Sequence, residues 1–468
     1  MHNHRISIHK ILNKNSIYFN HLFLTLSGKY QTDVIYIFIF SIIYGIITIS
    51  ERSMLMKIIE LTQNQYKNYA SIHKKRNIGQ SIEYAMLDFN RDKKKVFLGL
   101  CDEFNNIYAA TLILIHNVSP SIKEAIAPNG FLIDYANYSL VRTFTEELKR
   151  YLLKERVTYL ITNPMYKQRV YNKKNHIIEN NISITDNLLS IGYESLGYLD
   201  DFEKYDIIIE NNNSYYDIYK NFNRNTKRNI QEALNYGITL HKGKKEDLEA
   251  AYNIFKKKTS NNLSYYQNLF NTYNDDNKME IFIAKLNPHT YLVNSKKLYE
   301  KERIRNERIH NKFNNYVNAM HVNEKLLNKK INSDNRLEKY SQNLSNAINI
   351  NQLYRDDFII GTSIIIKNGQ EIYFLIDGYK EEYRRIHSTH ILKWAIIKKY
   401  FSKGYTIFNL GEIHKDYLDK SSKYHGQYLY KLGFGGNIVE YPPNLLLIIN
   451  KPAYNLYTKI KSFKNKNK

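Results

Sequence analysis

The chain has 468 residues, 43% of them apolar, a length that fits two or three domains with cores of ordinary size. Its one cysteine, Cys101, excludes an internal disulfide and any cysteine-based zinc site, and it favours a reducing cytoplasm. The formal net charge of +23 predicts attraction to nucleic acid or to an anionic membrane surface, although the charge is spread along the chain and locates no site by itself.

An apolar run near the N-terminus, Val34–Ile49, has no charged residue and a length near the lower limit for a membrane span. Lys and Arg precede it, which favours a cytoplasmic N-terminus and would place everything after a single span outside. The stretch that begins at Met54 looks like the start of an ordinary soluble protein. We therefore interpret residues 1–55 as an extension ahead of the working start at Met56, from a misplaced start codon, with a genuine membrane anchor as the alternative.

The tetrapeptide FLID occurs twice, at Phe131–Asp134 and at Phe374–Asp377. Each copy follows an apolar, β-branched run typical of a strand, Ile107–Ile115 or Phe358–Ile366. After each copy come a helical pattern and a second short strand pattern: Leu140–Leu153 and Val157–Ile161, then His390–Phe401 and Thr406–Leu410. The matching order predicts two related α/β units in one chain, with two unrelated βαβ-like stretches as the alternative.

We expect the first unit over 56–205, the second over 206–291 and 351–430, and C-terminal strands with a basic, solvated tail over 431–468. The intervening residues 292–350 have no Pro and no Gly, and twelve Lys or Arg against six Asp or Glu. A loose apolar stripe predicts a helical hairpin with an antiparallel coiled-coil seam: Leu298, Ile309, Tyr316, Met320, Leu326, Leu337 and Leu344. Its turn falls at Asn332–Asn335 or near His321–Asn323. This arm is either a solvated spacer with few contacts to the body or a basic arm that touches RNA phosphates.

Several motifs occur in an order that resembles a known family. The most specific is Leu429–Gly436 (LYKLGFGG), which is followed by Glu440. The other motifs are Gln80-Ser81 before Tyr84, Asn129–Asp134 (NGFLID), Asn225–Gly237 (NTKRNIQEALNYG), Tyr265-Tyr266, and Asn450-Lys451-Pro452 with Tyr454 and Tyr457. Together with the inserted arm they resemble the Fem aminoacyltransferases, which build the peptide bridges of bacterial peptidoglycan. The resemblance covers essentially all of residues 56–463.

The resemblance implies an α/β (α+β) fold of two tandem acetyltransferase-like (GNAT-like) units, with the helical-hairpin arm inserted in the second. It implies transfer of an amino acid from aminoacyl-tRNA to the amine of a stem or bridge peptide of a peptidoglycan precursor, without a cofactor. The expected partners are therefore aminoacyl-tRNA, a lipid-linked or nucleotide-linked precursor, and the inner face of the cytoplasmic membrane, contacted peripherally. Self-association stays open.

Aminolysis of an activated ester needs an aligned amine and stabilisation of the developing oxyanion, but no Ser or Cys nucleophile. Lys431 matches the family lysine beside the tRNA acceptor end, and we expect it in a strand-to-turn segment next to Tyr430; an ordinary surface lysine is the alternative. Tyr265 matches a tyrosine of the acceptor pocket, with a core aromatic as the alternative. Cys101 lies in a predicted strand and is expected in the core.

Four positions depart from the family pattern. Asn261 stands where the family has a phosphate-binding arginine, and Asp88 where it has a phosphate-binding lysine. Asn163 replaces a carboxylate before a proline, and Ile376 replaces a pocket tyrosine. Losing two cations at a diphosphate site changes how the precursor is held. Substitute positive charges for binding the substrate are available at Arg224, Lys227, Arg228 and Lys93–Lys95.

Two other functions fit parts of the sequence. An acyltransferase that uses acyl-coenzyme A would need a glycine-containing pyrophosphate loop opening a helix, and Glu382–Thr389 contains no glycine. A non-catalytic RNA-binding protein would use the basic arm alone. His387 and His390 have no cysteine or carboxylate in register, so we expect them at the start of a helix and not on zinc.

Overall fold

The computed structural model describes residues 56–74, 76–200, 204–274, 277–318 and 323–466. The apolar run at 34–49 lies outside these residues. Contacts within the chain define a main unit, residues 58–100 and 107–468, and a small unit whose described residues are 56–57 and 101–106. In the small unit the Asp102 carboxylate accepts hydrogen bonds from the backbone N–H groups of Phe104 and Asn106, both at 2.9 Å, and so closes a turn.

The described residues form sixteen strands: β1 (Lys57–Glu60), β2 (Lys94–Cys101), β3 (Ile107–Ser119), β4 (Ile122–Ala127), β5 (Tyr159–Thr162), β6 (Arg169–Tyr171), β7 (Ile177–Asn180), β8 (Tyr193–Gly197), β9 (Tyr205–Glu210), β10 (Thr239–Gly243), β11 (Met279–Leu286), β12 (Phe358–Asn368), β13 (Glu371–Tyr379), β14 (Ile407–Ile413), β15 (Asn437–Glu440) and β16 (Asn444–Ile448). Thirteen α-helices accompany them in the same residues: α1 (Gln63–Ile72), α2 (Ile82–Met86), α3 (Tyr138–Lys154), α4 (Ile182–Ser190), α5 (Tyr215–Asn221), α6 (Arg224–Asn235), α7 (Leu248–Phe255), α8 (Leu263–Asn274), α9 (Pro288–Asn318), α10 (Glu324–Leu353), α11 (Ser388–Phe401), α12 (His425–Leu432) and α13 (Lys451–Lys466).

The first sheet has the strand order β1–β2–β3–β4–β5–β16–β8. β3 and β4 form an antiparallel pair, and β4 then pairs in parallel with β5. α3 makes the crossover between β4 and β5. Its buried residues Val141, Phe144, Leu148 and Leu152 recur every three or four positions, so one face of the helix lies in the core. The Asn137 side chain accepts a hydrogen bond from the N–H of the third helical residue and caps the start.

The second sheet repeats this arrangement in the order β10–β11–β12–β13–β14–β9–β15–β6–β7. β12 and β13 form an antiparallel pair, β13 pairs in parallel with β14, and α11 makes the crossover. Buried residues on several sides of α11 pack into the largest core, including Ile391, Leu392, Ile396, Ile397 and Tyr400. Both sheets therefore contain an antiparallel hairpin followed by a parallel β–α–β crossover.

The two sheets exchange strands. β16, from the C-terminal segment, lies in the first sheet between β5 and β8, with Leu446 opposite Ile161 and Glu194. β6 and β7, which precede residue 205, lie at the end of the second sheet, where Val170 is opposite Val439. The boundaries expected at 205 and 430 therefore do not separate the sheets, because strand pairing here joins segments that are far apart in the chain.

The two FLID copies have related but not identical positions. The second lies within β13 and pairs with β12, with Asp377 opposite Ser363. The first follows β4, and Leu132 forms a bridge to Ala110 of β3. Each copy thus faces the strand that precedes it in its hairpin. A full superposition of the two units stays a prediction.

The helices α9 and α10 form an antiparallel hairpin, and α10 begins at Glu324 with Asn323 as its N-cap. The helices end at Asn318 and begin at Glu324, on either side of the second expected turn position, whereas Asn332–Asn335 lies inside α10. Besides apolar residues such as Tyr291, Ala347 and Ile350, the buried positions of the two helices are polar, and they interrupt the apolar seam that we expected: Ser295, Glu302, Asn306, Ser333 and Asn343.

The base of the hairpin is attached to the body. Lys339 Nζ lies 2.8 Å from both carboxylate oxygens of Glu232 on α6, and Ala347 and Ile350 belong to the largest core. The expectation of few contacts with the body is therefore wrong at this end.

The C-terminal segment differs from the expected tail. Residues 451–466 form the helix α13, whose Tyr454 and Tyr457 rings lie 5.4 and 5.9 Å from the ring of Tyr159. No helix among the described residues has the length and apolar character needed to cross a bilayer.

Candidate active site

The second sheet opens between β13 and β14. These parallel strands pair only from Glu371 to Tyr373, opposite Ile407 to Asn409, and the register of β14 against β9 is irregular between Asn409 and Glu412. Gly411, with φ +83°, lies in the irregular segment. A methyl group on Gly411 would lie 3.2 Å from both Lys431 Nζ and the Phe374 carbonyl oxygen. The lysine ammonium therefore lies in the opening.

Lys431 belongs to the last turn of α12, so the expected strand-to-turn position is wrong. The chain leaves the helix through Gly433 and then Gly435, which has φ +90°. The Lys431 side chain is buried, and Nζ donates a hydrogen bond to the Glu412 carbonyl oxygen at 2.6 Å. Burial, and then the positive charge of Lys393, lower the pKa of Lys431 to about 8. The ammonium form is therefore only moderately favoured at neutral pH.

The buried Asp206 carboxyl group lies near this ammonium. Asp206 Oδ2 accepts hydrogen bonds from Asn409 Nδ2 at 2.7 Å and from the Tyr441 hydroxyl at 3.1 Å. Burial raises the pKa of Asp206, although both hydrogen bonds and the Lys431 charge oppose the rise. Burial also raises the pKa of Glu371 to about 7, and the neighbouring Asp206 charge adds to this effect. The opening thus combines a cation with the Asp206 carboxyl group, whose pKa is raised, and the second sheet also holds Glu371, whose pKa lies near neutral pH.

A buried ion pair lies near the Lys431 ammonium. Lys393 of α11 is 0% exposed, and its Nζ lies 2.7 Å from Asp377 Oδ2 and 3.7 Å from the centre of the Phe374 ring. Ser363 Oγ donates to Asp377 at 2.6 Å. Burial raises the pKa of Asp377, but the Lys393 charge, the hydrogen bonds from Lys393 and Ser363, and the Lys431 charge together outweigh burial and lower that pKa. Sequence reasoning missed Lys393; the available signal was one lysine inside the apolar stretch HILKWAII.

Tyr430 precedes Lys431 but points to a different neighbour. Its hydroxyl donates to the Thr389 carbonyl oxygen at 3.2 Å, and its ring lies 4.9 Å from the ring of His390. These contacts join α12 to the first turn of α11 and fix the helix that carries the lysine.

Tyr265 borders the opening from α8. Its ring stacks on Phe89 at 6.1 Å. Burial, then the neighbours Tyr266 and Tyr84, and also the Glu412 charge raise the pKa of Tyr265 to about 12. Burial and the Glu412 charge likewise raise the pKa of Tyr373. The Glu412 charge also acts on Lys431, so Tyr265, Tyr373 and Lys431 lie within electrostatic range of one carboxylate.

The four positions that depart from the family pattern lie on different elements. Asn261 is exposed in the loop before α8, where its N–H donates to Thr259 Oγ1 at 3.1 Å. Asn163 is in the first sheet's half, and its Oδ1 accepts the N–H of Asn129 at 2.8 Å. Asp88 is exposed, and its N–H donates to Asn268 of α8 at 3.0 Å. Ile376 is half-buried in β13. Cys101 is buried at the end of β2, as expected.

The basic helix α6 packs against the LGFGG segment. The Asn223 N–H donates to the Gly433 carbonyl oxygen at 2.8 Å, and a methyl group on Gly433 would lie 2.3 Å from Thr226 Oγ1. Arg224 and Arg228 are exposed on this helix. Lys227 Nζ donates to the Lys220 carbonyl oxygen at 2.9 Å. Two motifs far apart in the sequence thus meet at one place.

A groove of about 500 Å³ runs beside this contact, lined by Asn172–Lys174, His176, Ile208–Asn211, Ile218, Asn221 and Gly435–Asn437. We call it the basic groove. Lys173 Nζ donates to the Asn221 carbonyl oxygen at 2.6 Å. Burial, and then the Lys227 charge, lower the pKa of Lys173, so these cations are close to each other. The glycines at one end of the groove follow Lys431 within five residues, Gly435 and Gly436.

Two mixed sheets, each with a hairpin and a parallel crossover and the second opened beside a buried lysine, define the class of tandem GNAT-like α/β proteins. The crystal structure of FemX has a TM-score of 0.64 to this chain at 16% identity, over 86% of this chain and 99% of that one. The aminoacyltransferase FemA of Staphylococcus epidermidis is 25% identical over 427 residues, which are 87% of this chain and all of that protein. FemA of Staphylococcus aureus is 23% identical over 426 residues, 88% of this chain and again all of that protein. The sequence profile of the FemAB family matches residues 61–462, and the chain belongs to that family.

Proposed function

We propose that this chain transfers an amino acid from aminoacyl-tRNA to an amine of a peptidoglycan precursor, in the cytoplasm, at the opening between β13 and β14. The observation that carries the proposal is the buried Lys431 ammonium in that opening, held by the Glu412 carbonyl oxygen. One of its three protons is used in this bond. The other two are available to an ester carbonyl oxygen.

The proposed reaction is the attack of a neutral amine on the ester carbon. The C–N bond forms, the C–O bond to the tRNA ribose breaks, and the proton lost by nitrogen goes to the ribose oxygen. Lys431 stabilises the negative charge that develops on the carbonyl oxygen, in a site where burial strengthens the interaction. Tyr430, held by Thr389, positions the helix that carries Lys431.

Tyr265, Tyr373 and Glu412 form the acceptor side of the proposed site. The Glu412 carboxylate attracts the ammonium form of the acceptor and is in place to take the proton that must leave before attack. A free alkyl ammonium has a pKa near ~10.4, so this proton has to be removed or the pKa lowered. Asn261 and Asp88, both exposed, carry no positive charge for the precursor diphosphate. Arg224 and Arg228 are the candidates to hold it.

The basic groove is the proposed path of the tRNA acceptor end. Lys173 and Lys174 line it, the Lys227 charge acts on Lys173, and the groove ends at the glycines after Lys431. Phosphates contacted by lysines make binding depend on salt. We expect Lys173→Ala with Lys174→Ala to raise KM for charged tRNA several-fold and to leave the single-turnover rate at saturation unchanged. An unchanged KM would show that tRNA does not bind in this groove.

The hairpin is proposed to touch the tRNA body. A second groove, of about 620 Å³, lies along the hairpin and is lined by four cations, Arg305, Lys325, Lys329 and Arg336. Lys325→Ala with Lys329→Ala should weaken tRNA binding and reduce its salt dependence. Lys296→Ala with Lys297→Ala, exposed residues at the hairpin base, is the matched control. Equal tRNA affinity in both variants would show that the hairpin is a spacer that does not contact tRNA.

The main test is transfer of labelled amino acids from a total charged-tRNA pool to purified lipid-linked or nucleotide-linked precursor. Lys431→Ala should lower the single-turnover rate about a hundred- to a thousand-fold, the usual cost of losing one stabiliser of an oxyanion. Lys420→Ala, an exposed lysine before α12, is the control and should keep the wild-type rate. Transfer from acyl-coenzyme A but not from tRNA would favour a different acyltransferase. Binding of tRNA without transfer would favour a non-catalytic RNA-binding protein.

A further inference from the structure

The C-terminal helix α13 has two different faces. Ala453, Tyr454 and Tyr457 pack against a cluster around Tyr159 and Leu446 of the first sheet. Leu456 and Ile460 face away from this cluster and are 60% and 48% exposed. Residues four apart lie on one side of a helix, so the two aliphatic side chains form one apolar strip on the outer surface.

The charge around this strip has one sign. After Glu440 the sequence contains no Asp or Glu and six lysines, five of them between 451 and 466. Lys459 and Lys461, next to the strip, are both exposed. Lysines beside an apolar strip are able to extend along it and place their ammonium groups at its edge. The outer face of α13 is therefore apolar at its centre and cationic at its sides.

We infer that the outer face of α13 docks on an anionic lipid bilayer, with Leu456 and Ile460 inserted at the level of the acyl chains and the lysines at the phosphates. Basic amphipathic helices bind membranes in this way, through buried apolar area and attraction to anionic lipid. The lysines could also bind the phosphates of an RNA, but RNA binding would leave the two aliphatic side chains in water. The combination of both features favours a membrane over RNA.

This inference does not depend on the proposed reaction, since binding to vesicles needs neither tRNA nor precursor. It adds to that proposal a surface that would bring the chain to a lipid-linked substrate. Loss of transfer with normal vesicle binding would overturn only the proposed function, and normal transfer without vesicle binding would overturn only the inference made here.

The test uses the full chain and sedimentation with vesicles of phosphatidylglycerol and phosphatidylcholine, or of phosphatidylcholine alone. Leu456→Asn with Ile460→Asn should lower the partition coefficient on anionic vesicles about tenfold or more, because the two half-exposed side chains together lose a transfer free energy worth at least about that factor. Lys459→Gln with Lys461→Gln should reduce the preference for anionic lipid. Leu153→Asn, an exposed leucine of α3, is the matched control and should bind as wild type.

A reporter keeps the inference testable if the double variant unfolds. Trp394 is the single tryptophan, so Leu456→Trp adds one probe to a known background. Its emission should shift to shorter wavelength with anionic vesicles and not with a tRNA pool. Wild-type partitioning of the double Asn variant, or no shift of the probe, would overturn the inference. So would a shift caused by tRNA, or by self-association without lipid.

Discussion

Replacing Gly411 by Ala should displace the Lys431 ammonium without touching the lysine itself. A methyl group at this position would lie 3.2 Å from Nζ and 3.2 Å from the Phe374 carbonyl oxygen. The carbonyl belongs to a strand, so the flexible lysine has to move. Its 2.6 Å bond to the Glu412 carbonyl oxygen would then lengthen or break.

The magnitude follows from two separate costs. A φ of +83° is unfavourable for any residue with a side chain, by roughly 1–2 kcal/mol, and this affects stability. A hydrogen bond to a charged group contributes about 1.5–3 kcal/mol. If the same displacement removes this contribution from the transition state, the single-turnover rate should fall about ten- to a hundredfold.

Gly404→Ala separates the two costs. Gly404 has φ +88°, close to that of Gly411, and a methyl group there would meet no described atom within 4 Å. Both variants should lose similar stability in a thermal melt, while only Gly411→Ala should lose transfer from charged tRNA. In a Lys431→Ala background, Gly411→Ala should have no further effect on the rate. Equal transfer rates for the two glycine variants would refute the reasoning that the ammonium in this opening supports the reaction.

Three further predictions concern buried groups of the main unit. The pKa of Lys431 is lowered from 10.5 to about 8 in the folded chain, so between these pH values the unfolded chain binds the proton more tightly. The free energy of unfolding of wild type, relative to that of Lys431→Met, should therefore rise with pH, by on the order of 2 kcal/mol from pH ~7.5 to ~9.5 in urea titrations. A difference that does not change with pH would contradict the lowered pKa. Lys393→Met should cost about 3–5 kcal/mol because it leaves the Asp377 carboxylate buried alone, and adding Asp377→Asn should recover part of this loss; additive losses would mean that the two groups do not interact. Asn163→Ala should cost about 1 kcal/mol through the unpaired Asn129 N–H and leave transfer within a fewfold of wild type, whereas a selective loss of transfer would assign Asn163 to the acceptor site.

Patterns confined to one segment predicted the structure well. The spacing of Val141, Phe144 and Leu148 predicted α3, because a buried helical face repeats every three or four residues. The apolar runs around Ile107 and Phe358 predicted β3 and β12 for a similar reason. In each case the signal and the structure that it predicts lie in the same short stretch of sequence.

Long-range pairing was not predictable in this way. Nothing within Asn444–Ile448 indicates that this strand inserts between β5 and β8, since its partners lie more than two hundred residues earlier. The Lys431 segment misled us because its glycines suggested a turn after a strand. In the structure these glycines follow the end of the eight-residue helix α12, which is fixed by contacts with α6 and α11. Lys393 and Asp377 lie on different elements, so no spacing connects them.

The donor side of the proposed site contains buried cations, whereas the altered positions of the acceptor side are exposed, so substitutions on the two sides differ in their cost in folding stability. Lys393 is buried against the Asp377 carboxylate, so removing it leaves an uncompensated charge in the core. Asp88 and Asn261 stand on the surface, where exchanging a residue costs little stability. The donor side is therefore constrained by folding, while the acceptor side is free to change.

Docking of α13 on the membrane would lower the affinity for the precursor that the acceptor side has to provide. A precursor confined to the same bilayer has a high effective concentration near the site, as a linked ligand has. Weak contacts with its diphosphate would then suffice, and cations at the positions of Asp88 and Asn261 would add little. For a nucleotide-linked precursor, free in solution, the same two residues would lower affinity directly, because a diphosphate would meet one carboxylate and no cation there. The lack of cations at 88 and 261 and the outer face of α13 thus favour the same acceptor, a lipid-linked one.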